Sequence, residues 1–352
     1  MRAPKILYYM LIPVLLFTLS CKKPFPVNPA GSTSQKYNRD EIRMLRYELK
    51  HKNMDMQRAA VIKGLLWLLD FVQDDGNFKF IFTNYIPMLY EVSVINDDQV
   101  IRNNARRLIK NEGLRGEAFL ESIFDEDNIE DIILLIGILE QTGAPPHKYV
   151  EYYNKNLKGY DGEKCRADFY RAVKNLDYDK LTDGLCEYSH FRFAYKRGKN
   201  SDLRLPKDYR DEFLTACAAL PLKYTVSDES GYHDQNYYAT HVIFVMTGYG
   251  EYRITDIDFT RKLKKYFSDN FQVVRTKVHD IDLLGEYVEC MKIFGQSQRA
   301  DVRESVNFII SQQNPDGSWV KKRDKDYDPY DLFHPTWTSI TALHYDYDYI
   351  TK

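Results

Sequence analysis

The stretch Gln313–Trp319, "QNPDGSW", follows the run "VRESVNFIISQ" and precedes the acidic tract "KKRDKDYDPYD". The run before it carries apolar residues at three- and four-residue spacing, the mark of a helix with one buried face. A Gly just past such a helix supplies the left-handed conformation that ends it. The Gln can reach backbone groups left unpaired at neighbouring helix ends. The Trp, two residues beyond the last turn residue, then folds back as a plug between helices.

The spacing occurs twice. "KGLLWLLDFVQDDGNF", Lys63–Phe78, again sets an aromatic–aliphatic pair on a helix, a Gln at its end, and a Gly and an aromatic one residue apart. Gln73, Gly76 and Phe78 there correspond to Gln313, Gly317 and Trp319. From about Asp40 the helical period continues almost without a break, in "EDIILLIGILEQTG", "ATHVIFVMTGYG" and "DLLGEYVECMKIFG" among others. Several of these runs end in Gly, at Gly143, Gly250 and Gly295. Only "FKFIFTNYI", Phe78–Ile86, reads equally as strand or helix. The expectation is an all-α protein. The polar, Tyr-rich stretch from Tyr152 to Arg210 predicts short helices, with a weak internal boundary near residues 196–210.

The paired stretches resemble the QW repeat of squalene and oxidosqualene cyclases, whose relatives include the protein prenyltransferase β-subunits. The resemblance is direct at Lys63–Phe78 and Phe308–Trp319 and looser over Tyr237–Tyr345. It departs from the pattern where Phe78 replaces Trp and where the second copy lacks the leading Lys-Gly. What the resemblance implies is an α/α-toroid over residues 40–352, with inner and outer helices in pairs around a central cavity. The reading from the residues alone is two amphipathic helices ending in Asp-Gly turns.

The first residues read as a targeting segment. Arg2 and Lys5 precede "ILYYMLIPVLLFTLS", an apolar run of 15 residues. That is short for a membrane span, which needs about 20 residues, and suited to a secretory signal. "TLSCKK" is similar to a bacterial lipobox, with Thr18 where Leu is usual, which makes Cys21 the lipidated residue. The alternative is an ordinary signal peptide with Cys21 incidental. Residues 1–20 are then a lipoprotein signal peptide and 21–39 a flexible tether rich in Pro, Ser and Asn. The expected location is a bacterial cell envelope, with a lipid anchor as the membrane contact.

Net charge is −2, from 49 basic and 51 acidic residues, so nothing suggests a nucleic-acid partner. The 28 Tyr and 19 Phe suit interhelix cores and sugar or lipid pockets. Beyond Cys21 the cysteines are Cys165, Cys186, Cys217 and Cys290. Two disulfides in one of three connectivities are open to them, although Cys217 and Cys290 sit in apolar helical runs as small hydrophobes do. No C-x-x-C pair is present, which excludes a thiolate zinc cluster of the usual spacing.

Three runs in the C-terminal half, "YYATHVIF", "VHDIDLLGEY" and "FHPTWTSITAL", are the candidate inner helices. His233, Asp234 and His241 belong to the first, His279, Asp280 and Asp282 to the second, and His334, Thr336 and Trp337 to the third. His279, Asp282 and Glu286 share one helical face at i, i+3 and i+7. In a toroid the inner helices run parallel, so their starts converge on one rim where dipoles favour acidic ligands or carboxylates. His241, Asp282 and His334 would then form a metal site, zinc being the candidate. Prenyltransferase β-subunits hold zinc near inner-helix ends with Asp, Cys and His. Their Asp-x-Cys pair is absent here, since Leu283 and Leu284 follow Asp282 and Cys290 lies two turns on. The cyclases' Asp-x-Asp-Asp acid motif is likewise incomplete at Leu283. The plainer reading of these residues is helix caps, Asp280 or Asp282 among them, and satisfied histidines. "DKDYDPYD" alternates acids as a calcium loop does, but Pro329 replaces the required Gly.

Two functions follow. One is a ligand- or partner-binding lipoprotein for a small molecule or glycan, supported by the incomplete family motifs, and it is the preferred expectation. The other is an enzyme, a lyase, hydrolase or transferase on a glycan or isoprenoid-like substrate. Convergence of His241, Asp282 and His334 on one cavity separates them, since an enzyme requires it and a scaffold does not.

Overall fold

A computed structural model describes residues 38–124, 129–156, 163–197, 210–222, 229–249, 254, 258–278, 280–320 and 328–344. The expectations for the signal segment, Cys21, Gly250 and His279 lie outside the described residues, as do the tether before residue 38 and most of 196–210; Arg39, the last residue expected in the tether, already belongs to the first helix. Among the described residues the chain forms fifteen α-helices and no strand, so the class is all-α. The helices are α1 (Arg39–His51), α2 (Met56–Phe71), α3 (Asp75–Ile95), α4 (Gln99–Gly116), α5 (Leu120–Ile123), α6 (Ile129–Thr142), α7 (His147–Asn156) and α8 (Glu163–Asn175). They continue as α9 (Tyr178–Arg197), α10 (Arg210–Ala219), α11 (Glu229–Thr247), α12 (Asp258–Val273), α13 (Ile281–Ile293), α14 (Ala300–Ser311) and α15 (Pro329–Ala342). A π-helical turn, Val274–Val278, extends α12.

The starts are set by short polar side chains. Asp55, Asp74, Asp98, Asp280 and Asp328 each accept a backbone N–H of the first turn of α2, α3, α4, α13 and α15. An N-cap of this kind contributes about 1 kcal/mol. The run "FKFIFTNYI" falls inside α3 and is helix.

Burial divides the helices into two kinds. Every residue of α13 except Asp282 is buried, including Glu286, Glu289 and Lys292. A helix enclosed all round belongs in the interior. In α12, by contrast, Leu263, Phe267 and Phe271 face inward while Lys262, Lys265 and Asp269 face solvent. Six helices, α3, α6, α9, α11, α13 and α15, each pack on the next, and α15 returns to α3 to close the cycle. Around them α2 packs on α15, α4 on α3 and α6, α8 on α9, and α12 and α14 on α13.

The closing contact is made by the stretch that opened the sequence reading. Gln313 Nε2 donates to the carbonyls of Ala60 (2.8 Å) and Gly317 (2.9 Å), tying the end of α14 to α2. Trp319 is buried and its Nε1 donates to the Ile309 carbonyl at 2.7 Å. Gly317 has φ +102°, and a Cβ there would stand 2.4 Å from the Lys63 carbonyl oxygen. Gly64 faces the same packing, its would-be Cβ lying 2.9 Å from both Ile340 and Trp319. The Gly-Trp of the second copy therefore seats on the Lys-Gly of the first.

The first copy behaves differently. Gly76 and Phe78 lie in the first turns of α3, not in a turn after a helix, and Gly76 does not adopt positive φ. The Asp74 cap takes over there, since an N-capped turn needs no left-handed residue. Phe78 is still a plug, fully buried with the Arg115 guanidinium 3.8 Å from its ring centre. Gln73 bonds the Asp70 side chain at 3.2 Å. Gly143 and Gly295 do take left-handed conformations at helix ends, and Gly248 with Tyr249 does so at the end of α11. Cys165, Cys186, Cys217 and Cys290 are all free thiols, so neither disulfide is formed. No helix among the described residues is long and apolar enough to cross a membrane.

Candidate functional site

The six helices of the closed cycle surround a cavity, and each contributes to its wall. Its volume is about 180 Å³, room for roughly a dozen waters or one small ligand. The wall is rich in aromatic rings, from Tyr90, Phe244, Tyr249, Tyr330 and Trp337. Its acidic groups are Glu91 from α3 and Glu286 and Glu289 from α13, and its histidines are His190, His241 and His334. No Lys or Arg lines it among the described residues.

At one side stands a pair joined across α13 and α15. His334 Nδ1 donates to Asp282 Oδ2 at 2.8 Å. The same oxygen accepts from the Tyr237 hydroxyl at 2.9 Å, and Oδ1 accepts from Thr338 Oγ1 at 2.7 Å. Burial by itself pushes the Asp282 carboxyl up, but the His334 ring and these three donors outweigh it and hold the group below its ordinary value. With Nδ1 turned to a carboxylate, neutral His334 carries its proton there and leaves Nε2 as the basic atom. Tyr330 stacks on the His334 ring with centroids 4.8 Å apart, and Trp337 meets it edge-on at 5.3 Å.

Glu286 lies one turn along α13 from Asp282, on the same face. Thr240 Oγ1 donates to its Oε2 at 2.5 Å. Burial, then the Asp282 charge, raises its pKa well above the usual carboxylate value. His241, from mid-α11, has Nδ1 2.8 Å from the Tyr237 carbonyl and 4.0 Å from Glu286 Oε2. Burial lowers its pKa to about 4 despite the Tyr237 bond.

Glu91 forms the opposite part of the wall. Trp337 Nε1 donates to its Oε2 at 2.7 Å. Burial and the neighbouring Glu289 charge raise its pKa well above normal.

The sequence expectations meet this geometry unevenly. Asp282, His334, Glu286, His241 and Trp337 are brought together. Asp280 is the cap of α13, as the plainer reading has it, accepting from Asp282 N–H at 3.0 Å. His233 stacks near Tyr237 rather than lining the cavity, and Thr336 accepts the Trp319 N–H at 3.2 Å. Asp328, from the calcium-like tract, caps α15 by accepting from Asp331 N–H at 2.9 Å. For the metal site, one ligand-type atom from each of Asp282, Glu286 and His334 lies within 4.8 Å of the others. Glu286 thus takes the place expected of His241, because α13 and α15 pack face to face while His241 sits deeper on α11. Glu91 and Glu289 were not anticipated. Their signal was a single acid within an apolar run, in "LYEVSVI" and "YVECMKIF".

Comparisons with protein-family models, with curated proteins and with solved structures returned no match.

Proposed function

We propose that the protein is an α/α-toroid enzyme, held at a bacterial envelope membrane through Cys21, whose cavity hydrolyses an uncharged glycan. One observation carries the reading: a histidine oriented by a carboxylate held below its ordinary pKa stands within 4.8 Å of a carboxyl raised well above its own, at one cavity. Environments that push neighbouring titratable groups apart in this way define a base and an acid. In this reading His334 Nε2 accepts a proton from an attacking water, with Asp282 stabilising the imidazolium that forms. Glu286 gives its proton to the departing glycosidic oxygen, and Tyr330 and Trp337 offer faces for a sugar ring. Hydroxyl and amide groups of Thr83, Asn84, Ser189 and Thr341 on the wall suit a hydroxyl-rich substrate.

The cycle of six contacting helices and the seating of Trp319 on Gly64 support the toroid. The convergence of Asp282, His334 and Glu286 favours an enzyme over the binding module first expected.

The test is release of reducing ends from neutral oligosaccharides by the purified chain and by Asp282→Asn and Glu286→Gln. We expect turnover by the wild type and a loss of about 10³-fold or more in each variant. Absence of turnover on every neutral glycan, or variants as active as the parent, would reject the hydrolase.

A second reading rests on the same three ligand-type atoms. Glu286 and His334, with Asp282, fit a three-ligand divalent-cation site with an open position. His334, Glu286 and Asp282 would each offer one atom, and a bound metal would supply Lewis acidity toward water. Stoichiometric zinc by elemental mass spectrometry, lost in His334→Ala, distinguishes it from the metal-free mechanism.

A further inference from the structure

Helices α1 and α4 lie side by side and antiparallel. The start of α1 meets the end of α4, where Asn38 Nδ2 donates to Glu112 Oε1 at 2.5 Å. Further along, Arg107 Nε stands 3.2 Å from Glu41 Oε1, and Arg58 ties Glu48 of α1 to Asp98 at the start of α4. Every carboxylate of the two helices is taken by a cation of the body: Asp40 by Arg43, Glu41 by Arg107, Glu48 by Arg58 and Glu112 by Arg115. Six exposed cations on or just beside them, Arg39, Arg46, Lys50, Lys52, Arg106 and Lys110, have no carboxylate partner among the described residues. A chain of net charge −2 thus gathers unpaired positive charge on one pair of helices.

We propose that the outer face of α1 and α4 docks on anionic lipid headgroups of a membrane. Charge is the first reason, since unspent Lys and Arg on one face complement a surface of fixed negative charge. Apolar exposure is the second. Tyr47 is 54% exposed, Leu114 40%, and Met56, just past α1, 72%. Aromatic and aliphatic groups set among Lys and Arg suit the boundary between headgroups and acyl chains. The third is reach, and it rests on the Cys21 anchor proposed above. α1 starts eighteen positions after Cys21, a length of chain that spans at most about 60 Å. The first helix of the body is therefore the one that the anchor ties most closely to a bilayer.

Each Lys or Arg close to an anionic surface raises membrane affinity roughly fivefold. Salt screens this attraction beyond about 8–10 Å. The contact is therefore reversible: it orients a body that its lipid holds, and it does not keep an unlipidated chain on a membrane through washing. Neither α1 nor α4 contributes to the cavity wall, so the docked face and the candidate site are separate surfaces.

The experiment is vesicle flotation of the full chain carrying Cys21→Ser, so that no lipid contributes. The probes are vesicles containing phosphatidylglycerol, vesicles of phosphatidylcholine alone, and duplex DNA as a competitor. At about 50 mM salt the chain is expected to bind the anionic vesicles at least tenfold more tightly than the neutral ones, a preference lost at about 500 mM. Adding Arg46→Gln, Lys50→Gln, Arg106→Gln and Lys110→Gln together should weaken binding to the anionic vesicles by tenfold or more. Lys174→Gln, Lys180→Gln, Lys262→Gln and Arg303→Gln remove four exposed cations elsewhere and should change it by less than twofold. Gln is a good helix former, and thermal melting verifies that both sets are folded. Equal binding to the two kinds of vesicle, or equal loss from the two sets of substitutions, overturns the docking face. Displacement from the vesicles by duplex DNA at matched charge assigns the face to nucleic acid and likewise overturns the membrane. Because the lipid is absent throughout, either result leaves the Cys21 anchor and the glycan hydrolase to their own tests.

Discussion

Gly317→Ala tests whether the last helices close on the first. At φ +102° an L-residue is strained by more than the roughly 1 kcal/mol of an ordinary left-handed site. The added methyl would also stand 2.4 Å from the Lys63 carbonyl oxygen and 2.8 Å from its carbon. Both are backbone atoms of α2, so no rotamer change relieves the contact and the segments must part. Overpacking of this kind costs about 1–3 kcal/mol, which brings the total to roughly 4 kcal/mol. Gly143→Ala supplies the control, because Gly143 has φ +73° with nothing within 4 Å of its would-be Cβ. It should lose only the conformational part, about 1 kcal/mol. At about 2 °C per kcal/mol, the low end suited to a large body, differential scanning calorimetry should find Tm lower by roughly 8 °C for Gly317→Ala and 2 °C for Gly143→Ala. Equal shifts would refute the reasoning, since they would mean that Gly317 makes no close approach to Lys63 in solution.

His241→Gln should flatten the acid limb of stability. The folded pKa of about 4 lies below the ordinary 6.5, so the unfolded chain binds that proton more readily. The stabilisation is whole above pH 6.5 and is lost as pH falls toward 4, a difference of about 3 kcal/mol over 2.5 units. Denaturant midpoints between pH 7 and 4 should fall less in the variant than in the parent, and identical slopes would sink the idea. Cys21→Ser should move the chain from the membrane pellet to the soluble fraction of its host, as read by fractionation and immunoblot. Retention in the pellet would remove the lipid anchor from the proposed function.

Much of the helical framework was legible because its causes are short-range. Apolar spacing along α13 and α15 and the aspartate caps act within a turn or two of the residues that encode them. The Gly317–Trp319 turn was legible for the same reason, and so was Asp280 as a cap. The twin copy misled at Gly76, where a cap from Asp74 two residues earlier removed the need for a left-handed glycine. His334 and Asp282 could be nominated from their places near helix starts, but their 2.8 Å contact depended on α13 and α15 lying face to face.

The remainder belongs to tertiary structure. Glu91 stands about two hundred residues before Glu289 in the chain, and nothing local predicts that they share a wall. Whether a buried acid is a structural burden or a proton donor depends on what faces it, and facing is set by how six helices pack into a closed cycle. The sequence by itself determined that this chain is helical, where many of its helices start and end, and which polar residues were worth watching. Only the tertiary structure decided that the Asp282 pKa is lowered while that of Glu286, one turn away, is raised. The physical reason is that hydrogen-bond donors from α11 and α15 converge on the first carboxylate, whereas burial and its charged neighbour act on the second.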